Sequence, residues 1–583
     1  MPHNILNMRR PFPYLLLAFI VLGIFYPVIF AESLSTDDQE MIQSYVNMTS
    51  LDWQGLFWPT GPAYYYRPLL GLSFYSDWIF FGSQNAATHL VNILIHLANT
   101  ILLYRILLFV SRPQRESNNW PLLAAIFFGL HPLVTEPVNW ISGRTDLLAG
   151  FFVLASLLLF MCNTGKKLWR DSLAAFLFLC GLWSKEVAIG LLPVVAFACL
   201  QEHTFALKRK WREIARRTAP FFTATILYLL LRTSGRIAQD IGVMSAIRGG
   251  HGAEHFPLAA KLSSLIKAIG FYSQKIIWPF PLNFAIIEVN RPVAMTVGIA
   301  TIILIGLALF FWRRRPSMLG LVWICCFLAP ALPVAVNRVA WTPLAERYLY
   351  LPLMGLCLLL VMSLGRYADK KIPALAMTVL LMIFGAITAQ RNIVWQKNIT
   401  LWQDVVEKSP NFAAGHNDYA LALQREGKSV EAKEHLAKAE SLATGTGKNL
   451  AKSNAAIQNG DSNTQLAKLA AILQNEQSPK LRAQILYKII RLLNGKLQQA
   501  GNDSAKQREL IEKSLHYQKE LAKTDKNPYH TYCIGQFQLA LGDKTTARAN
   551  FALVCETSND YYTKPACTLA EKLAREQQGE KTP

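Results

Sequence analysis

The stretch IPALAMTVLLMIFGAITA, residues 372–389, contains no charged residue. As a helix it is long enough to cross the hydrocarbon core of a bilayer. It is the last of a series of apolar blocks, and beyond it the chain is rich in Lys, Glu, Gln, Asn and Ala. This change near residue 390 predicts two domains, a membrane domain at 1–390 and a soluble helical domain at 391–583.

Ten further apolar blocks precede this stretch, at residues 11–30, 88–110, 120–136, 147–162, 168–183, 187–200, 218–233, 293–312, 317–335 and 347–364. Of the 583 residues 52% are hydrophobic and 17% are charged, which excludes an ordinary soluble multidomain protein. The pattern predicts an all-α fold, a polytopic membrane bundle of about eleven spans followed by the soluble domain. We expect the first block to be an uncleaved span, with a cleavable signal peptide as the alternative.

The basic residues before the boundary lie in short loops between the apolar blocks rather than on one continuous face. The net charge of +21 therefore indicates membrane topology, and no nucleic-acid partner is expected. With the N-terminus in the cytoplasm, the basic loops fall on the cytoplasmic side throughout. The loops 31–86, 132–146, 234–292 and 336–346 and the soluble domain then share the external side. We expect an inner (plasma) membrane location, with the soluble domain in the periplasm if the source is a Gram-negative bacterium.

The nine cysteines form no CxxC pair and no zinc-binding pattern. Most lie inside apolar blocks as small core residues. Cys533, Cys555 and Cys567 lie in the soluble domain, where a disulfide is possible after export, but the pairing cannot be deduced from the sequence.

The soluble domain begins with a helical repeat pattern. Residues 417–442, NDYALALQREGKSVEAKEHLAKAESL, have the spacing of a tetratricopeptide (TPR) unit, with small residues at the helix crossing and a glycine in the turn. A weaker unit spans residues 534–551, and the segment between them is interpreted as degenerate repeats. Such an array offers a groove to a partner peptide or protein; the alternative is a structural cap.

Acidic neighbours follow the first apolar block. Asp37 and Asp38 lie just beyond the membrane surface, where a carboxylate can deprotonate an incoming hydroxyl or stabilise developing positive charge. The alternative interpretation is a pair of ordinary solvated acids.

Other ionisable residues lie at the external ends of later apolar blocks: His131, Glu136, Arg144, Asp146, Lys185, Glu186, Glu346 and Arg347. Ionisable groups near membrane depth usually face a polar cavity or one another, and Arg and Lys there suit a phosphate. The alternatives are an ion pair between Glu136 and Arg144 and side chains that extend to the interface. All of these residues fall on one side in the predicted topology, which favours a shared site.

The order of motifs in this sequence resembles a known family. The motifs are DDQEMI, YYYRPLLGLSFYSDWIFFG, HLVNILIHLANTILLY, HPLVTEPVNWISGRTDLL, LWSKE and AERYLYLP, followed by TPR units. In this order they closely resemble the transmembrane and TPR repeat-containing (TMTC) proteins. That family belongs to the GT-C superfamily of polyprenyl-phosphate-dependent glycosyltransferases and is related to the protein O-mannosyltransferases. The first external loop is short and the TPR array brief by comparison with eukaryotic members.

The resemblance implies that the catalytic acid of the first external loop is Asp37 or Asp38. It places Arg67 and His89 near the active cavity, and it matches Glu136, Arg144 and Asp146 to the second external motif. Lys185, Glu186, Glu346 and Arg347 match positions expected near the carrier phosphate.

The predicted reaction transfers a sugar from a polyprenyl phosphate to a hydroxyl, with inversion at the anomeric carbon. Arg347, Lys185 and Arg144 are the predicted donor-phosphate ligands, and no metal or other cofactor is expected to be required. The predicted partners are the lipid-linked donor and an acceptor bound through the TPR groove. The acceptor is a Ser or Thr of an exported protein, or alternatively an envelope glycan or lipid. Two other interpretations are a non-enzymatic membrane-anchored scaffold and, less favoured, a transporter.

Overall fold

The computed structural model describes residues 11–34, 38, 51, 53–58, 66–82, 84–111, 119–163, 167–201, 207–234, 257–287, 289–312, 317–337, 342–364, 371–457, 460–501, 503–558 and 562–577. Within these ranges the chain forms helices and turns, apart from one isolated antiparallel bridge between Ile286 and Leu344. The predicted all-α fold is confirmed.

The chain divides into two compact units, residues 1–44 with 52–409 and residues 45–51 with 410–583. The predicted boundary near residue 390 falls inside a helix of the first unit. The first unit also contains the next helix, Asn398–Lys408, because the buried Leu401, Trp402 and Val405 on one face of that helix pack into it. Polar composition therefore begins before the first unit ends.

The α-helices of the first unit are α1 Phe12–Phe25, α2 Trp53–Phe57, α3 Pro68–Phe81, α4 Asn85–Val110, α5 Trp120–Leu130, α6 Thr135–Asn139, α7 Arg144–Cys162, α8 Leu168–Ser184, α9 Leu191–Gln201, α10 Leu207–Ser234, α11 Leu258–Ile277, α12 Arg291–Trp312, α13 Met318–Leu328, α14 Leu332–Asn337, α15 Tyr350–Leu364, α16 Lys371–Val394 and α17 Asn398–Lys408. Short 3₁₀ turns at Tyr26–Phe30, Pro132–Val134, Ile141–Gly143, Glu186–Gly190, Ala329–Ala331 and Glu346–Leu349 connect several of them. Two of these turns, Glu186–Gly190 and Glu346–Leu349, carry predicted site residues.

Seven helical segments in the described part of the chain are long and apolar enough to cross a membrane, or eight if the bent pair Trp120–Leu130 and Pro132–Asn139 counts as one span. The seven are Phe12–Phe30, Asn85–Val110, Ile141–Cys162, Arg291–Phe311, Met318–Asn337, Glu346–Leu364 and Ile372–Val394. The chain is therefore a multi-pass membrane protein. The predicted number of eleven spans is not confirmed.

Besides the bent pair, three apolar blocks are helical but do not meet the same criteria. The helix Leu168–Ser184 has 17 residues, and the segment Glu186–Gln201 is shorter still. The helix Leu207–Ser234 begins with the basic sequence LKRKWREIARR. The first block, by contrast, packs into the bundle: the amide of Asn392 donates to the carbonyl of Ile24 at 2.8 Å, and Phe25 is buried.

Proline bends the chain where the third block reaches the membrane edge. The two halves of the pair meet at 49°, because Pro132 has no N–H to continue the helix. His131 at the break accepts a hydrogen bond on Nδ1 from the backbone N–H of Leu133, at 3.2 Å. Glu136 lies in the short helix that follows the bend, Thr135–Asn139.

The external segment predicted as the loop 234–292 contains a further helix, α11. It crosses α12 at Gly270 and Gly298. A Cβ on Gly270 would lie 1.9 Å from the carbonyl oxygen of Ala294, so only glycine permits this approach.

The second unit consists of TPR-like helical hairpins. Its helices are α18 Ala413–Arg425, α19 Ser429–Leu442, α20 Gly445–Ala456, α21 Ser462–Asn475, α22 Pro479–Gln499, α23 Ser504–Thr524, α24 Pro528–Ala540, α25 Lys544–Thr557 and α26 Thr563–Gln577. The turns of the two predicted repeats contain Gly427 at φ +79° and Gly542 at φ +88°, a backbone conformation that favours glycine. The segment between them, interpreted as degenerate repeats, forms two more hairpins.

A disulfide joins the last two helices. Cys555 and Cys567, whose pairing the sequence left open, are bonded, while Cys533 is a free thiol.

Candidate functional site

Asp38 lies buried after the first span, with 1% of its surface exposed. Its Oδ2 accepts the backbone N–H of Leu34 at 2.9 Å. Its Oδ1 accepts both the backbone N–H and the hydroxyl of Ser142, at 2.9 and 2.7 Å. Three donors on a buried carboxylate favour its charged form and hold its orientation. Asp37 lies outside the described residues.

The motif WISGR positions Ser142 against Asp38. Ser142 lies in the 3₁₀ turn Ile141–Gly143 immediately before α7. A Cβ on Gly143 would lie 2.6 Å from the carbonyl oxygen of Pro137, so the turn packs against the preceding segment only with glycine here. Sequence reasoning missed Ser142, because nothing in a lone serine indicates a partner 104 residues away.

Arg144, at the start of α7, is completely enclosed by protein. Its Nη1 lies 2.7 Å from the Asp77 carboxylate and 2.8 Å from the Ser73 hydroxyl. Its Nε donates to the side chain of Asn92 at 2.7 Å, and its Nη2 to the carbonyl of Thr88 at 2.8 Å. Every nitrogen of the guanidinium therefore has a protein acceptor. Asp77 was also missed, although a charge inside the apolar run FYSDWIFF is a usable signal.

Two buried ion pairs lie close by. Lys185 donates to both carboxylate oxygens of Asp146 at 2.7 Å. Arg347 contacts Glu136 twice, with Nη1 at 2.5 Å and its backbone N–H at 2.9 Å. The pairing of Glu136 with Arg144, one alternative left by the sequence, is thus not the one that forms.

Glu186 is shared by two arginines. Its Oε2 accepts from Arg67 at 3.0 Å and its Oε1 from Arg232 at 3.3 Å. Arg232 also donates to the hydroxyl of Tyr228 at 2.9 Å. Arg232 was missed by the sequence reasoning, although it lies at the end of the block 218–233 that the predicted topology places outside, and so meets the same criterion as the other candidates.

Aromatic rings connect these groups into one cluster. The Tyr348 ring lies 5.4 Å from the Lys185 ammonium and 5.2 Å from the Arg347 guanidinium. The same guanidinium lies 5.1 Å from the Trp140 ring. Trp140 in turn lines a small pocket together with Asp38. Glu186, with Arg67 and Arg232, follows Lys185 directly in the chain. The structure thus brings the acid of the first loop to the cations of the later motifs. We call the set the external cluster, after the side of the membrane on which the predicted topology places it; its members are Asp38, Trp140, Glu136, Arg347, Tyr348, Lys185, Asp146, Glu186, Arg67 and Arg232.

Three buried polar atoms of this pocket have no hydrogen-bond partner: the indole nitrogens of Trp140 and Trp395 and the Oδ1 of Asn139. Trp140 and Trp395 both pack edge-on against Phe284, at 5.7 and 5.2 Å between ring centroids. A ligand that both donates and accepts hydrogen bonds would satisfy them.

The remaining candidates are Glu346, His89 and His131. Glu346 accepts from Lys275 at 2.7 Å and from the backbone of Asn283 at 3.1 Å. His89 is buried next to Thr88, whose carbonyl binds Arg144, and His131 fills the bend described above. Among the described residues, no group of three or more His, Cys, Asp or Glu could hold a metal ion.

Sequence comparison finds relatives that are named protein O-mannosyl-transferases. The chain is 33% identical over 150 residues to protein O-mannosyl-transferase tmtc2 of Xenopus laevis, which covers 25% of this chain and 18% of that protein. It is 25% identical over 429 residues to protein O-mannosyl-transferase TMTC1 of Homo sapiens, covering 64% and 47%. It is 27% identical over 428 residues to protein O-mannosyl-transferase TMTC4 of Mus musculus, covering 63% and 56%.

The relatives are TMTC proteins. The resemblance seen in the motif order is therefore confirmed by sequence similarity over as much as 64% of the chain. The matched regions cover 18%, 47% and 56% of these relatives, so this chain spans no more than about half of their length. No model of a known protein family matches the chain, and no solved structure is similar to it.

Proposed function

We propose that this protein is a membrane O-glycosyltransferase that moves a sugar from a polyprenyl phosphate to a Ser or Thr hydroxyl of a protein. In view of the names of its relatives, the proposed sugar is mannose. The observation that carries the proposal is the external cluster, in which a fixed carboxylate and a group of cations share one site. A glycosyl phosphate needs both: a base for the incoming hydroxyl and positive charge for the departing phosphate.

Asp38 is the proposed base. Its carboxylate takes the proton of the acceptor hydroxyl while that oxygen bonds to the anomeric carbon from the face opposite the phosphate. The bond between this carbon and the phosphate oxygen breaks, and the phosphate leaves with the electron pair. One displacement of this kind inverts the configuration at the anomeric carbon.

Apart from Asp38, the proposed base, the cluster has more cations than carboxylates. Among the described residues, Lys185, Arg347, Arg67 and Arg232 bond three carboxylates, those of Asp146, Glu136 and Glu186. Arg67 and Arg232 share Glu186, and their side chains are 17% and 25% exposed, against 11% for Lys185 and 9% for Arg347. We therefore assign first contact with the phosphate to Arg67 and Arg232, with Lys185 and Arg347 behind them.

Arg144 has a different proposed role. Its guanidinium is wholly buried and bonded to four protein groups, which leaves no side for a phosphate. We assign it as a positioning residue that holds the start of α7, and with it Ser142, against Asp38.

The pocket beside Asp38 is the proposed place of the acceptor. The unpartnered donors of Trp140 and Trp395 and the unpartnered oxygen of Asn139 suit a hydroxyl and its adjoining peptide group. The external face follows from the predicted topology, and a disulfide in the second unit fits an oxidising compartment. Because fixed cations stabilise the leaving group, we propose that the reaction needs no metal.

The test is transfer of radiolabelled mannose from a synthetic polyprenyl phosphate to exported proteins by the full-length protein in liposomes, with and without EDTA. Asp38→Asn should lower the rate at least 100-fold, since general base catalysis contributes about 100- to 10,000-fold. Asp37→Asn in parallel decides which acid is the base. Glu512→Gln, a carboxylate in an exposed ion pair with Arg508, is the control.

Each result has a defined meaning. Protease-sensitive label that Asp38→Asn abolishes, with an unchanged melting temperature, supports a protein glycosyltransferase that uses Asp38. Protease-resistant label points to a glycan or lipid acceptor. Full activity in both Asp variants would remove the assigned base, and no label with any donor would favour the scaffold.

A further inference from the structure

The segment that leads from the first span to Asp38 is fastened to the junction between α16 and α17. The side-chain amide of Gln396, in that junction, donates to the carbonyl of Pro27 at 3.1 Å. The backbone N–H of Glu32 donates to the carbonyl of Gln396 at 2.9 Å. Two segments more than 360 positions apart in the sequence thus lie side by side.

Asn398, the first residue of α17, makes further contacts of this kind. Its backbone N–H and its side-chain amide both donate to the Oε2 of Glu32 at 2.9 Å, and the same amide donates to the carbonyl of Ser33 at 3.0 Å. Asn398 is buried. A carboxylate at the N-terminus of a helix is favourable, because the first N–H groups of a helix have no partner within it.

These contacts lead directly to the proposed base. Ser33 precedes Leu34, whose backbone N–H is one of the donors to Asp38. Ser142 donates to the other oxygen of the same carboxylate. A shift of the backbone at Ser33 would therefore turn the Asp38 carboxylate relative to Ser142.

The junction also lines the pocket beside Asp38. Its contribution is Trp395, Lys397, Asn398 and Leu401, and the segment before Asp38 contributes Glu32 and Leu34. These junction residues fall in the segment 391–583 that was predicted to be a separate soluble domain. The structure places them at the candidate site instead.

We propose that Asn398 is a positioning residue for the transfer reaction. Through Glu32 and Ser33 it holds the backbone donor of Leu34 in place. That donor in turn holds the Asp38 carboxylate in the orientation in which it takes the proton of the acceptor hydroxyl. This inference rests on the proposed function, in which Asp38 is the base, and it adds the start of α17 to the parts of the chain that the reaction needs.

The test breaks the contact and then restores it, in the mannose-transfer assay with the full-length protein in liposomes. In Asn398→Asp the amide donor is replaced by a carboxylate oxygen that faces the Glu32 carboxylate and the carbonyl of Ser33, so the two segments repel each other. kcat should fall about 10- to 100-fold, because a displacement of about 1 Å in an active site can cost that much. KM for the polyprenyl donor should stay unchanged, because the cations of the external cluster are not altered.

A second substitution should rescue the first. Combining Glu32→Gln with Asn398→Asp replaces the repulsion by a hydrogen bond, since the glutamine amide donates to the new carboxylate. The double variant should recover most of the lost kcat. Asn398→Ala, which removes the amide without adding a charge, should lower kcat about 10-fold and replaces Asn398→Asp in the test if that variant does not fold.

Asp404→Asn is the matched control. It weakens a different contact of the same junction, the ion pair between Asp404 of α17 and Arg391 of α16 at 2.6 Å. It should keep the wild-type kcat, and melting temperatures of all variants are measured in parallel. An equal fall of kcat in Asp404→Asn would show that the loss comes from a loosened α17, and would overturn the positioning role.

The remaining outcomes separate this inference from the proposed function. Wild-type kcat in Asn398→Asp, a loss that the double variant does not reduce, or a change in donor KM alone would overturn the role of Asn398 while Asp38→Asn remains inactive. If the wild type transfers no label, or if Asp38→Asn is fully active, the assigned base falls and the role of Asn398 falls with it.

Discussion

Replacing Ser142 by alanine tests whether the orientation of Asp38 matters for the reaction. The change removes one donor to the carboxylate, the hydroxyl at 2.7 Å, and leaves the backbone N–H groups of Ser142 and Leu34 in place. A hydrogen bond to a charged group contributes about 1.5–3 kcal/mol. If this interaction is needed in the transition state, kcat should fall about 10- to 150-fold.

The direction of a second effect follows from the same contact. A carboxylate with fewer donors holds its proton more readily, so the acidic limb of the pH–rate profile should move to higher pH in Ser142→Ala. KM for the polyprenyl donor should change little, because Ser142 lies at the acid end of the external cluster.

The assay is steady-state mannose transfer by the full-length variant in liposomes between pH 5 and 8. Ser156→Ala is the matched control: it also removes a buried hydroxyl, one that donates to the carbonyl of Ala174 at 2.6 Å. Equal kcat values for the two variants, or a change in donor KM alone, would refute the role assigned to Ser142.

Two further predictions concern the phosphate site and the second unit. Arg232→Met should raise the donor KM about 10-fold or more through loss of a charged phosphate contact, while Arg216→Met on the same helix should not; equal donor kinetics in the two variants would contradict the assignment of Arg232. The second unit should lose stability as pH falls below about 6.5: burial lowers the pKa of His416 and of His435 in the folded state, so the unfolded chain binds more protons there. Protonation of the two rings also opposes the 2.8 Å contact between their Nδ1 atoms. The difference between the melting temperatures at pH 7.5 and pH 5.5 should therefore become smaller in His416→Gln but not in the exposed-residue control His516→Gln.

Much of the fold follows from local properties of the sequence. Apolar blocks form helices because a backbone in lipid must satisfy its own hydrogen bonds, and all eleven predicted blocks are helical. Glycines such as Gly427 and Gly542 mark turns because the required φ is positive. Counting spans was less successful, since helix formation alone does not separate a membrane-crossing helix from a shorter one or from one with a basic first half.

The residues of the site, like the helices, could be predicted from local sequence only in part. Ionisable residues at the ends of apolar blocks stand out because each is costly unless paired, and this selected Asp38, Arg144, Lys185 and Arg347. The partners were not visible: Arg347 bonds a residue 211 positions away, and Asp38 one 104 positions away.

Sequence alone thus determined the all-helical character, the change from membrane to soluble composition, and which ionisable residues were candidates for the site. Tertiary structure decided the rest: that Glu136 pairs with Arg347 rather than Arg144, that Arg144 is enclosed, and that Arg232 joins Arg67 on one carboxylate. The physical reason is that helix formation and membrane partition depend on neighbouring residues, whereas ion pairing depends on distances of a few ångströms. Those distances exist only after helices far apart in sequence have packed.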